Sequence, residues 1–195
     1  MATRIIVATS NKHKLREIRR ILRLRVAGHG VRVKENGKTF EANAIKKAKA
    51  VAKKFPGDIV IADDSGLMVD CLGGKPGVRS ARFAKPPTKG NLCGKLLRKI
   101  RENQGKSRSA SRRGSRQAKF VCVIAVVYPS GKVKTVKGVC PGKIIEEMRG
   151  QHGFGYDPVF VPAGYKKTFA QMKPAMKNRL SHRGRALKKL EKLLS

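Results

Sequence analysis

A chain of 195 residues with 40% apolar content can bury a core, which excludes a disordered or fibrous polypeptide. Its 46 Lys and Arg against 12 Asp and Glu give a formal charge of +34, far above the ~2–8 usual for a small domain. Such a field attracts polyanions and opposes compaction by self-repulsion. The four cysteines (Cys71, Cys93, Cys122, Cys140) form no C-x-x-C pair, so buried reduced thiols are expected rather than a zinc site. The longest apolar run, Phe120 to Tyr128, is too short to span a bilayer, and Met1 to Arg4 carry no secretory pattern. A soluble cytoplasmic protein with no membrane partner is expected.

Along the chain, Arg4 to Ser10 reads as a buried strand, after which Leu15, Ile18, Ile21 and Leu22 recur at helical spacing. Val31 to Val33 is predicted as a short strand before the turn Asn36-Gly37. A helix follows with Ala44, Ile45, Ala48, Val51 and Ala52 on one side, stopped near Pro56-Gly57. Ile59 to Ala62 is predicted to end in a polar turn, Asp63-Asp64-Ser65-Gly66, and Leu67 to Cys71 to form a separate strand before the loop Gly73 to Gly77. Leu92, Leu96, Leu97 and Ile100 mark a third helix. Lys119 to Tyr128 and Val133 to Cys140 flank Pro129-Ser130-Gly131, a hairpin signal. Val159 to Val161 is the last strand, and Arg183 to Leu194 a closing helix with Leu187, Leu190 and Leu194 inward. Alternating strands and helices interrupted by a hairpin predict an α/β fold, a mixed β-sheet with flanking helices, in a single domain over 1–195. Gln104 to Ala118, rich in Ser, Arg and Gly, reads as a flexible basic loop, either simply solvated or in contact with nucleic acid.

Four constellations could carry chemistry, and each has a plainer reading beside it. Ser10-Asn11-Lys12-His13-Lys14 opens a helix after a strand and suits an anion, or is an ordinary capped helix start. Asp63-Asp64 at a strand end could hold a divalent metal and position water, or could be a polar turn. Gly153-Phe154-Gly155-Tyr156-Asp157-Pro158 suits a flat base stacked close to backbone, or a tight turn with core aromatics. Ser181-His182-Arg183 could cap the last helix and bond a nucleobase oxygen or phosphate, or lie on the surface.

Taken in order, these strings form a longer pattern. Strand-end Ser10-Asn11 with Lys14 comes first, then Thr39-Phe40 with Asn43-Ala44 and Lys47. A-D-D-S-G-L, L-G-G-x-P-G-V-x-S-A-R, G-F-G-Y-D-P and S-H-R-G-x-A-L follow. The chain resembles the inosine/xanthosine triphosphate pyrophosphatase family over residue 4 to about residue 190; residues 23–38 and 85–118 match weakly. The resemblance implies a homodimeric α/β protein with two lobes around a central cleft. It implies Mg²⁺-assisted cleavage of non-standard purine triphosphates (ITP, dITP, XTP) between the α and β phosphates. Ser10, Asn11, Lys14 and Lys47 would grip the triphosphate, with Ser65 close by. Asp64 would be the catalytic carboxylate and, with Asp63, would hold the metal. Phe154 would stack on the base beside Gly155 and Tyr156, with Asp157 lining the pocket. Lys177, His182 and Arg183 would recognise the 6-oxo group.

Two departures from the family pattern stand out. Where the family has T-F-x-E-N-A, this chain has Ala42 in place of the Glu, and Glu41 points about 100° away round a helix. The family's Glu is a metal ligand or the third residue of a capping box with Thr39. The second departure is charge: Asp63, Asp64, Asp70 and Asp157 lie inside family motifs, while Lys and Arg stand elsewhere in place of acids. The polyanion field therefore leaves a second reading: a catalytically weak scaffold that binds nucleic acid or an acidic partner.

Overall fold

A computed structural model describes residues 4–22, 26–30, 32–106 and 115–194. Six strands form one sheet: β1 (Ile5–Ala8), β2 (Val26–His29), β3 (Ile59–Val69), β4 (Gln117–Val127), β5 (Val133–Ile144) and β6 (Phe160–Pro162). Their order is β2-β1-β3-β4-β5-β6. β1 pairs in parallel with β2 and β3, and β5 antiparallel with β6, so the sheet is mixed. The helices are α1 (Lys12–Ile21), α2 (Phe40–Ala52), α3 (Lys89–Lys106), α4 (Pro174–Leu180) and α5 (His182–Leu194).

The chain divides into two compact units, each discontinuous in sequence. Unit one takes residues 1–65, 122–138 and 182–195, and unit two takes 66–121 and 139–181. In unit one, the apolar stripe of α1 (Ile18, with Leu22 just beyond it) packs with Val7, Ile61, Ile124 and with Leu187 and Leu190 of α5. Asn11 starts α1 by accepting the amides of His13 (2.9 Å) and Lys14 (3.1 Å), two donors the helix itself cannot satisfy. In unit two, Leu92, Leu96 and Ile100 of α3 meet an aromatic cluster in which Phe120, Phe160 and Phe169 lie 4.7–6.1 Å apart. Burial pushes the Cys93 and Cys122 thiols up to about 12, so both behave as small apolar groups.

Several sequence expectations need correction. The strand placed at Val31 to Val33 lies instead at Val26–His29; Arg32 and Val33 are in neither helix nor strand, and Val31 lies outside the described residues. Gly28 permits this register, since a Cβ there would come 2.5 Å from a Leu15 methyl carbon. Asp63 to Gly66 is no turn: β3 runs unbroken through it. α4 has no counterpart among the expected elements. The basic stretch expected as a loop over 104–118 is shorter, since Gln104 is helical and Gln117 and Ala118 belong to β4; 107–114 lie outside the described residues. No helix of the described residues is long and apolar enough to cross a membrane.

Candidate active site

Each unit carries one cluster of buried charge. In unit one it is built on β3, where successive side chains point to opposite faces. Asp63 falls on the face that Ile61 shares with α1 and α5. Its Oδ2 accepts Lys14 Nζ (3.0 Å) and Arg183 Nη2 (3.0 Å), and Ser65 Oγ donates to it at 3.3 Å. Asp64 falls on the other face, toward α2. There Asn43 Nδ2 donates to its Oδ2 (3.1 Å), and Lys47 Nζ lies 3.4 Å from its Oδ1. Asn43 and Lys47 reach the same carboxylate because residues four apart stack on one helix face.

The two aspartates therefore carry opposite electrostatics. Burial would raise Asp63, but the nearby Lys14, Arg183 and Lys47 overwhelm it and hold its carboxyl far below the usual range. For Asp64, burial outweighs Lys47, Lys14 and the Asn43 hydrogen bond, and its pKa is raised. Burial would lower Lys47 as well; Asp63, Asp64 and Glu35 reverse that, so it stays protonated. One member of the pair is a fixed counter-ion. The other is a carboxylate whose charged form burial disfavours.

The cluster in unit two is set by backbone. Gly153 and Gly155 sit at φ 73° and 62°, where glycine is strongly favoured. Between and after them, Asp157 Oδ2 accepts the Phe154 amide (2.8 Å) and Lys177 Nζ (2.6 Å). Lys177 also lies 4.8 Å from the Phe154 ring centroid, a cation–π contact. Asp157 is 3% exposed and Lys177 5%, so this is an internal ion pair beside an aromatic ring.

Sequence reading and structure part company at several residues. Asn11 is a helix cap whose oxygen occupies the very amides an anion would need. Ser10 lines a cavity of about 500 Å³ with His29, Arg32 and Lys54. Tyr156 is a core residue, not a base contact: it is 3% exposed and its hydroxyl donates to Ser80 O at 2.8 Å. Arg183, read as a nucleobase contact, gives its buried guanidinium to Asp63, Glu17 and Ser65 Oγ. Asp63, read as a metal ligand, is correspondingly committed to cations through Oδ2; its buried Oδ1 alone accepts no hydrogen bond among the described residues. His182 opens α5 and is buried, while Gly155 accepts the Cys93 thiol at 3.4 Å. Glu41 accepts Thr135 Oγ1 at 2.7 Å and so does not replace the carboxylate missing at Ala42.

Two contributors, Glu35 and Glu17, escape a motif reading, and the motif residue Asn43 gains a role. Glu35 pairs with Lys47 at 2.7 Å, Glu17 pairs with Arg183, and Asn43 orients Asp64 while accepting the Gly37 amide at 2.8 Å. The signal that could find the two glutamates is scarcity: in a chain with 12 acids, Glu17 lies one helical turn from Lys14, on the same face.

Comparison with known proteins agrees with this architecture. The Ham1 family model matches residues 5–193. The dITP/XTP pyrophosphatase of Desulforamulus reducens is 42% identical over 200 residues, covering 98% of this chain and 96% of the relative. The protein of the same name from Bacillus subtilis is 43% identical over 199 residues, covering 97% and 96%. The solved structure of a HAM1 protein from Coxiella burnetii matches with a TM-score of 0.85 at 35% identity, covering 99% of this chain and 98% of that one. Full-length agreement in both sequence and strand arrangement makes the assignment plain: the chain belongs to the Ham1 family.

Proposed function

We propose that the chain hydrolyses non-standard purine nucleoside triphosphates, dITP, ITP and XTP, to the monophosphate and pyrophosphate. The observation that carries this reading is the arrangement on β3, where Asp63 is matched by Lys14 and Arg183 while the Asp64 carboxylate on the other face is held between Asn43 and Lys47. Kinship supports the substrate class, since relatives 42–43% identical are named dITP/XTP pyrophosphatases.

Asp64 is the proton acceptor for water attacking the α-phosphorus, oriented by Asn43 and Lys47. Lys14, which gives one ammonium proton to Asp63, has others for phosphate oxygens, whereas Lys47 is committed to Glu35, Asp64 and the Asp63 carbonyl and contributes its charge; both offset charge developing on the departing pyrophosphate. Ser10, beside Arg32 and Lys54, offers a hydroxyl to phosphate oxygens. In unit two, Phe154 stacks on the purine and Lys177, held by Asp157, donates to the 6-oxo group; a 6-amino group would leave that donor unmatched.

Among the described residues no three His, Cys, Asp or Glu are grouped as a metal cage. The donor set instead fits Mg²⁺ in the mode that uses one or two carboxylates plus substrate phosphates, with Asp64 as the protein ligand. Bound there, the ion would supply Lewis-acid polarisation and a more acidic water.

The test is product analysis with Mg²⁺ across dITP, ITP, XTP, GTP and ATP. Monophosphate and pyrophosphate from the first three are expected, with ATP hardly cut. Orthophosphate as first product, or a preference for ATP, overturns the reading. The same reading gives a cytoplasmic homodimer, checked by sedimentation. The +34 charge supports a second property, polyanion binding without sequence preference that weakens steeply with salt.

A further inference from the structure

We propose that unit two carries a groove for single-stranded nucleic acid at the β5–β6 edge of the sheet, formed by Arg101, Arg116, Lys143, Arg149, Tyr165 and Lys166. The proposal rests on the polyanion reading above and gives it a location.

Two concavities meet at this edge. One, of about 820 Å³, is lined by Arg101 of α3, Arg116, Lys143 of β5 and Arg149. The other, of about 420 Å³, lies over β6 and the turn after it and is lined by Tyr165 and Lys166. Gln117 and Lys143 line both, so the two adjoin. Each alone has the size of a small-ligand pocket, ~300–1,000 Å³. Side by side along one trough-like edge, they suit a strand laid across both better than a molecule enclosed in either.

The charge along the trough is arranged rather than merely abundant. Glu146 pairs with Arg116 at 3.3 Å and Glu147 with Arg149 at 2.6 Å. Both glutamates also line the first concavity, so its uncompensated positive charge falls to Arg101 and Lys143. Arg101, Lys143 and Lys166 have no carboxylate within ion-pair distance among the described residues, so their charge is directed at solvent. Tyr165 stands among them at 37% exposure, an unusual position for a large aromatic residue. Cations that follow a backbone, with an aromatic face for a base, are the two parts of single-strand recognition.

The probe is a fluorescein-labelled 15-nucleotide oligothymidylate, with heparin as the polyanion that has no bases, followed by anisotropy across salt concentrations. The groove triple Arg101→Ser/Lys143→Ser/Lys166→Ser is compared with a control triple of exposed lysines in unit one, Lys53→Ser/Lys137→Ser/Lys188→Ser. Both triples remove three charges. The groove triple should flatten the log–log salt slope for the oligonucleotide by about 2, since each phosphate neutralised on a single strand adds roughly 0.7 to that slope. The control triple should leave the slope unchanged. Tyr165→Ala should weaken the oligonucleotide about tenfold while sparing heparin, and Tyr165→Phe should retain binding. Thermal melts by circular dichroism establish that each variant folds. Equal effects of the two triples, or equal losses of both ligands in Tyr165→Ala, overturn the groove and leave the general polyanion reading standing. Absence of any binding by the unaltered protein overturns both. If the groove triple instead converts a dimer into a monomer, the trough seats a second copy and the proposal fails.

Discussion

The opposite electrostatics of Asp63 and Asp64 make a prediction whose sign differs between adjacent residues. Asp63→Asn removes the charge that balances Lys14 and the fully buried Arg183, both at 3.0 Å. Removing one partner of a buried pair costs about 3–5 kcal/mol, and Glu17, which still pairs with Arg183, puts this case near 3. For a chain of this length ~1 kcal/mol moves Tm by ~2–4 °C, so Asp63→Asn should melt about 6–12 °C lower. Asp64→Asn should hold or raise Tm at pH 7, because a raised pKa means the folded state disfavours the ionised form. The pH dependence follows from the same shifts. Asp63, depressed in the folded state, contributes fully above the ordinary value of about 3.9, so its effect should be equal at pH 7 and pH 5. The penalty on Asp64 is present above its raised folded pKa and vanishes as pH falls toward about 3.9, so any gain in Asp64→Asn should shrink at pH 5. Scanning calorimetry in EDTA keeps divalent ions out of the comparison. Equal losses in the two variants, or a larger loss in Asp64→Asn, would refute the assignment of counter-ion and proton acceptor.

Position 42 separates metal binding from helix capping. Ala42→Glu should lower the Mg²⁺ needed for half-maximal rate by about tenfold or more, whereas Ala42→Gln, which can complete a capping box with Thr39, should raise Tm alone. At Gly153, a Cβ would come 2.0 Å from Asp157 Oδ2 at a φ of 73°. Gly153→Ala should therefore raise KM for ITP more than it lowers kcat, and strain of about 1–2 kcal/mol should lower Tm by a few degrees; an unchanged KM would detach Asp157 from base recognition.

Periodicity makes α1, α2, α3, α5 and the β4–β5 hairpin legible, because each carries an apolar face long enough to repeat. α4 escapes because Pro174–Leu180 is only seven residues, short of two full turns. β3 departs from its sequence reading at Asp63-Asp64-Ser65-Gly66 for a different reason. Locally that string has turn chemistry, and what keeps it extended is non-local: Lys14, Lys47 and Arg183 arrive from three helices to balance two buried carboxylates. The family resemblance points to most of the charged residues but not to their geometry. Strand alternation separates the two aspartates onto different faces, and Tyr156 turns inward to Ser80, because backbone direction at those points depends on elements distant in sequence.

The same pairing explains how a fold survives a charge of +34. A cation removed from water without a partner costs several kcal/mol, while an exposed one feels its neighbours only across about 10 Å at 0.1 M salt. The scarce acids sit accordingly. Lys47 has Glu35 and Asp64, Lys177 has Asp157, and Arg183 has Asp63 and Glu17. Five of the twelve acids thus serve the three buried Lys and Arg residues among those described. Exchanging surface acids for Lys and Arg meets little resistance from folding, since it adds only screened repulsion. Exchanging any of these five for Lys or Arg would instead set a new cation against a buried one. The division between a balanced interior and a one-sided surface is therefore what folding energetics alone would select, whatever drove the surface to be basic.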